Sequence, residues 1–153
     1  MIADRTQVFD VRPPFKLLAT LDTGPITNHV NIVRRGGDMF AYVTVGGLNQ
    51  VKVFRTDDFS QVATIPVGSL PHSLWPSGDG SRVYVGLENA DALTVIDTAI
   101  NKVVATVPIG QAPQAGPTIR AANSSSHPVF RACRGRRSSG SRADVPMAVR
   151  RRR

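Results

Sequence analysis

Two histidines in this 153-residue chain stand at places where they could act together. His29 and His72 occupy similar places just before a short strand-like run, in "NHVNIV" and "PHSLW". An imidazole nitrogen can bind a transition metal or polarise a substrate. Two histidines do not complete a metal site, and Gln114 takes the next corresponding place. We therefore expect His29 and His72 to be structural turn residues, and we predict no metal and no cofactor.

Two further side chains could carry chemistry. Asp97 ends the run "TVID" and could ligate or catalyse, but a short acid after a strand more often caps the turn that follows. Trp75 could stack a ligand, although a single large aromatic more often packs between elements. We find no Ser-His-Asp arrangement, P-loop or Gly-x-Gly-x-x-Gly motif. The single Cys133 rules out an internal disulfide. The sequence therefore favours a non-catalytic protein.

The elements that position these residues recur along the chain. "AYVTVGGLNQVKVFRT" from position 41 is echoed 42 residues later by "VYVGLENADALTVIDT", and "ATIPVG" by "ATVPIG". A fixed period of about 40 to 45 residues indicates one supersecondary unit used repeatedly. We take these aligned positions as structural: Tyr42 with Tyr84, Val53 with Val95, Pro66 with Pro108, Gly68 with Gly110, and Pro71 with Pro113, to which Asp97 is added.

Each unit contains four strand-like runs separated by turn-rich segments. In the last unit the runs are 72–75, 82–87, 92–97 and 102–107, and the turns are "PSGDGS", "ENAD" and "TAIN". Pro66 and Pro108 fall near the end of the fourth run, where an edge strand tolerates the missing N–H. Four antiparallel strands in about 40 residues predict a β-propeller blade, and the fold class is therefore all-β.

The quoted phrases resemble the YVTN-type β-propeller repeats. Tyr84-Val85, Val95 to Thr98, Val103 to Gly110 and Pro71-His72 match that family's phrase, while Gly86 and Gln114 depart from it. The resemblance implies a propeller related in shape to lactonase, quinoprotein and nitrite reductase propellers. It also implies a periplasmic or extracellular location, although "MIADRTQVFD" lacks the apolar core of a signal peptide.

We divide the chain into a partial propeller over 1–115 and a tail over 116–153. The partial propeller holds a half blade at 6–26 and whole blades at 27–68 and 69–110. Propellers usually close with four to eight blades, so this is an incomplete ring. The chain is either a fragment of a longer propeller or a protomer that closes a ring with other copies. Both alternatives predict self-association, or contact with missing blades, through exposed blade faces.

The tail has a composition of its own. Residues 1–115 carry nine basic and ten acidic side chains, whereas 116–153 carry ten arginines and one acid, so the charge of +8 belongs to the tail. We predict that the tail is disordered. Three readings stay open: an arginine-rich arm that binds polyanions or nucleic acid, a solvated terminus, and an out-of-frame reading of GC-rich DNA. No apolar run is long enough to span a bilayer.

The function expected from these features is a non-catalytic binding or interaction scaffold. One alternative is the remnant of a propeller enzyme that is lactonase-like or metal-dependent. The other is a nucleic-acid-binding protein that acts through the basic tail. Propeller folds carry many functions, so the fold alone does not choose among these alternatives.

Overall fold

The computed structural model describes residues 4–110 and residue 113, and this part of the chain is all-β with antiparallel sheets. The strands follow the alternation of apolar segments and Gly-, Asn- or Asp-rich turns in the sequence. In chain order they are β1 Arg5–Phe9, β2 Leu17–Asp22, β3 Thr27–Arg35, β4 Asp38–Val45, β5 Gln50–Arg55, β6 Gln61–Pro66, β7 Pro71–Pro76, β8 Arg82–Leu87, β9 Ala92–Asp97 and β10 Lys102–Pro108, with a short 3-10 turn at Gly46–Leu48.

The strands form three antiparallel groups. The N-terminal hairpin is β1–β2, the first sheet has the order β3-β4-β5-β6, and the second sheet has the order β7-β8-β9-β10. Within each group, every strand therefore pairs with the strands next to it in sequence. Pro66 and Pro108 are the last residues of the edge strands β6 and β10, which confirms their predicted place.

One irregularity recurs at the same place in all three groups. The two outer strands of each four-stranded sheet share a β-bulge, in which one extra residue stands on the last strand. The N-terminal hairpin has the same bulge, so β1–β2 corresponds to the outer half of a four-stranded sheet. The register shifts follow the pairs Val8 with Ala19, Val53 with Ala63, and Val95 with Ala105.

The main core lies between the facing surfaces of the two four-stranded sheets. Both sheets contribute equally to it. In each inner strand, alternate side chains point into this core because successive residues of a strand face opposite sides of the sheet. The first sheet supplies Val33, Phe40, Tyr42, Val51, Val53 and Ile65, and the second supplies Leu74, Val83, Val85, Leu87, Ala92 and Ile96. All twelve are at most 6% exposed. Burial of this apolar surface is what stacks the sheets.

The pairing of the inner strands shows that the alignment of His29 with His72 made from the sequence is wrong. Thr27 pairs with Val45, and Pro71 pairs with Leu87, so the first hairpin spans two residues more than the second. The structural counterpart of His72 is therefore residue 28, and that of His29 is residue 73. The two histidines do not occupy the same place. The offset arises because β3 runs through nine residues before the tight turn at Gly36–Gly37.

Two other expectations concern the chain's environment and its tail. No helix among residues 4–110 is long and apolar enough to cross a membrane. The predicted disordered tail at 116–153 and the candidate position Gln114 lie outside the described residues.

Candidate functional site

The seam between the two sheets runs along the edge strands β3 and β7. Two asparagine side chains of β3 donate to backbone carbonyls of β7: Asn28 Nδ2 to Pro71 O at 3.0 Å, and Asn31 Nδ2 to Leu74 O at 2.9 Å. Side-chain amides therefore satisfy carbonyls that a free sheet edge would leave to solvent. This seam contains both predicted histidines and Trp75.

Thr44 connects the two histidine backbones across the seam. Its hydroxyl accepts from His29 N at 2.9 Å and donates to His72 O at 2.8 Å. Gly86 holds the corresponding place in the second sheet, where an added Cβ would collide with Ser73 Oγ and Pro113 O. The serine hydroxyl thus fills the space that the Gly86 side chain leaves empty. The lack of a side chain at position 86 has this steric reason.

The histidine rings themselves are not brought together as a pair. The His29 ring packs on Trp75, with 5.6 Å between ring centroids and an interplanar angle of 58°. This contact confirms that Trp75 packs between the sheets. His72 Nδ1 and Trp75 Nε1 are buried and find no hydrogen-bond partner among the described residues. Within 4–110, no group of three or more His, Cys, Asp or Glu side chains could hold a metal ion.

Tyr42 makes the most specific contact between the sheets. It lies on β4, is fully buried, and donates from its hydroxyl to Asn101 Oδ1 at 2.5 Å. Asn101 stands in the β9–β10 turn with φ 51°, in the left-handed region that asparagine tolerates. Burial raises the pKa of Tyr42 to about 12; nearby Arg35 opposes this shift and Asp97 adds to it. Sequence reasoning missed Asn101, because nothing local links it to a residue 59 positions away.

Arg35 reinforces the same contact. Its guanidinium lies 4.2 Å above the centre of the Phe40 ring and donates to the carbonyl oxygen of Thr98 in the second sheet. Thr98 in turn donates to Gly80 O at 2.7 Å, which fixes the β9–β10 turn on the β7–β8 loop. The turn that receives Tyr42 is therefore held rigidly from two sides.

Tyr84 is the counterpart of Tyr42 on the outward face of the second sheet. The pairing registers agree, because Tyr42 pairs with Val53 and Tyr84 pairs with Val95. Tyr84 and Val95 are only half-buried, whereas Tyr42 and Val53 are fully buried. The second sheet thus presents again the face that the first sheet packs against its neighbour, and the described residues leave this second face partly exposed.

Asp97 has a structural role of the expected kind. Its carboxylate accepts from Ala99 N at 2.8 Å and pairs with Arg82 at 2.7 Å. Asp10 makes the corresponding turn contact by accepting from Arg12 N at 2.9 Å. Both acids therefore cap the turn after a repeat-equivalent strand. Asp79 caps the β7–β8 loop, and hydrogen bonds from Ser77 and Ser81 lower its pKa to about 2.

An apolar cleft lies between the N-terminal hairpin and the first sheet. It encloses about 460 Å³ and is lined chiefly by carbon. Phe9 of β1 is 51% exposed there, although its counterparts Phe54 and Ile96 are 4% and 0% exposed. The cleft is open because, among residues 4–110, the hairpin has only the two outer strands and no inner strand lies over the first sheet beside it.

The fold resembles that of solved structures. The chain aligns with a chain of Kuenenia stuttgartiensis hydrazine synthase with a TM-score of 0.66 and 22% sequence identity, over 72% of this chain and 32% of that chain. This chain therefore spans about a third of the length of that one, and the likeness shows the fold alone. No protein-family model and no curated protein matches the sequence.

Proposed function

We propose that this chain is part of a YVTN-type β-propeller and serves as a non-catalytic binding or interaction scaffold. In this proposal the N-terminal hairpin is a half blade at 6–26, and the two sheets are blades at 27–68 and 69–110. The likeness to hydrazine synthase supports a β-propeller-like fold. The seam along β3 and β7 then lies on the inner side of the ring.

One observation carries the scaffold function: the tyrosine face that joins the first sheet to the second recurs on the second sheet, where the described residues leave it partly exposed. Tyr42 is 0% exposed against its neighbour, while Tyr84 at the same repeat position is half-buried. An uncovered face that repeats a stable internal interface is suited to receive another blade-like surface.

The use made of the polar side chains supports a non-catalytic role. The carboxylate of Asp97 is engaged by Arg82 and by the following turn. The hydroxyls of Tyr42 and Thr44 hold the two sheets together. The carboxylate of Asp97 and these two hydroxyls are therefore engaged in holding the repeat together.

Sedimentation velocity of the full chain across a dilution series tests the proposal. We expect reversible association, and we expect Tyr84→Asp to shift it towards monomer because a carboxylate cannot be buried in an apolar interface without cost. Val11→Asp is the matched control, since Val11 is 86% exposed and far from this face in the repeat. A chain that stays monomeric at every dilution and melts sharply would contradict the proposal. Circular dichroism confirms that each variant is folded.

The division of charge favours a second candidate function. Residues 1–115 are nearly neutral, whereas ten of the 38 residues in 116–153 are arginine. Such a segment binds phosphate backbones by releasing counterions, without base specificity. Binding of a single-stranded DNA by the full chain, lost on removal of 116–153, would favour this candidate.

A further inference from the structure

We propose that the cleft beside β1 is a docking site for a β-hairpin from a partner chain, and that the site selects a hairpin carrying phenylalanine rather than tyrosine at the position of Tyr42. The inference rests on the proposed function, because it uses the repeat to say what the cleft lacks. It goes further by naming the occupant and the residue that discriminates between occupants.

The first step concerns the backbone of β1. β1 pairs with β2 on one side, and the described residues place no strand on its other side. Its counterparts β5 and β9 each have neighbours on both sides, β4 and β8 being the inner ones. The open edge of β1 therefore offers backbone N–H and C=O groups at the place where an inner strand pairs in the other two units. Addition of a strand to such an edge is a common mode of peptide recognition.

The second step concerns the floor of the cleft. Val30 lies on the first sheet and is 48% exposed, whereas its counterpart Leu74 on the second sheet is 0% exposed. Ile32 and Met39 beside it are 49% and 44% exposed. Leu74 belongs to the same buried cluster as Phe40 and Tyr42 of the β3–β4 hairpin, and both strands of that hairpin contact β7. The exposed floor around Val30 is thus the surface that an inner hairpin covers in the next unit.

The occupant follows from this equivalence. What covers Leu74 and Val85 is a hairpin that presents Val33, Phe40 and Tyr42 on one face. The segment 116–153 contains no tyrosine and no comparable run of alternating apolar residues. We therefore assign the occupant as a hairpin of inner-strand type from a partner chain, since the composition of 116–153 does not match such a hairpin.

The side chain in the turn beside the cleft determines which hairpin the cleft accepts. Tyr42 needs Asn101 in the neighbouring β9–β10 turn, and the counterpart of Asn101 in the first sheet is Phe59. Both residues have left-handed backbones, with φ 51° and 61°, so the turn is the same and only the side chain differs. Phe59 lines the cleft and has no acceptor to offer. A docking tyrosine would bury its hydroxyl without a partner there, whereas phenylalanine would lose nothing.

The test uses two synthetic peptides with the sequence of residues 27–47, one with the native tyrosine and one with the change Tyr42→Phe. We expect the phenylalanine peptide to bind the full chain roughly tenfold more tightly, the factor that an unpaired buried hydroxyl implies. The variant Phe59→Asn should reverse this order by restoring the acceptor. Equal binding of both peptides to both proteins would overturn the specificity.

Two protein variants locate the binding. Val30→Asp should abolish peptide binding, and because Val30 is half-exposed the variant should fold. Ile100→Asp is the matched control, since Ile100 is 59% exposed in a turn of the second sheet and should leave binding unchanged. Binding that survives Val30→Asp would overturn the cleft as the site.

A tethered form of the peptide tests the proposal if the free peptide is too weakly structured to bind measurably. The phenylalanine hairpin is joined to the N-terminus by a Gly/Ser linker, which raises its effective concentration to the millimolar range. We expect a higher melting temperature than for the same fusion in the Val30→Asp background. If neither the free nor the tethered hairpin acts, the proposal fails. The scaffold function would still stand if association that depends on Tyr84 were observed. If the chain instead forms dimers that Val30→Asp breaks, the occupant of the cleft is a second copy of this chain.

Discussion

The contact between Tyr42 and Asn101 allows the same substitution to be compared at two repeat positions of one chain. Tyr42→Phe removes a 2.5 Å hydrogen bond whose donor is fully buried. Tyr84→Phe removes a hydroxyl from a partly exposed side chain, for which residues 4–110 show no hydrogen bond. A buried hydrogen bond contributes about 1 kcal/mol to stability, so we expect Tyr42→Phe to lower the free energy of unfolding by about that amount. Tyr84→Phe should change it by less than about 0.5 kcal/mol.

The pH dependence sharpens this prediction. The pKa of Tyr42 is raised to about 12 in the folded protein, against an ordinary value of 10. A raised pKa means that the protonated side chain favours the folded state, so this stability is present below about pH 10 and is lost as pH rises towards 12. At about pH 11 the unfolded tyrosine is ionised and the folded one is not, which costs the native protein about 1.4 kcal/mol relative to pH 8.

The assay is urea unfolding followed by circular dichroism, at about pH 8 and about pH 11. The native chain should exceed Tyr42→Phe by about 1 kcal/mol at the lower pH, and the two should become nearly equal or reverse at the higher pH. Comparison with the variant cancels the titration of all other groups. The reasoning would be refuted if the gap between the two proteins stayed constant with pH, or if Tyr84→Phe behaved like Tyr42→Phe.

Three further predictions use the same logic of matched positions. Gly80→Ala should destabilise the protein by more than about 2 kcal/mol in thermal melts, because φ is 71° and the new Cβ would collide with a carbonyl of the first sheet. Gly36→Ala has a similar φ of 62° but open space around the new Cβ, so it should cost about 1 kcal/mol. Leu74→Ala should cost about 2 to 5 kcal/mol in urea unfolding and Val30→Ala less than about 1 kcal/mol, because Leu74 is 0% and Val30 48% exposed. Similar costs would contradict the difference in packing between these two repeat-equivalent positions. Binding of heparin or DNA should weaken steeply with salt and should disappear when 116–153 is removed, and retention by residues 1–115 would show that the tail is not its source.

The sequence predicted the local elements of this protein well. The all-β class, four strands per unit, the boundaries of β8 and β9, and the prolines at the ends of the edge strands all follow from alternation, turn residues and the missing proline N–H. The turn-capping role of Asp97 was predictable for the same reason, since it concerns residues two positions apart. These features depend on short-range chemistry that is written in consecutive residues.

Only the tertiary structure decided which repeat-equivalent residues differ in their burial, hydrogen bonds and position in the sheets. Tyr42 and Tyr84 read alike in sequence, yet one is sealed against Asn101 and the other is half-exposed. His29 and His72 align by sequence within one residue, and the strand pairing separates them into different places. The physical reason is that burial and hydrogen bonding across the sheets depend on what stacks beside each unit. A residue's own neighbours in the chain do not contain that information.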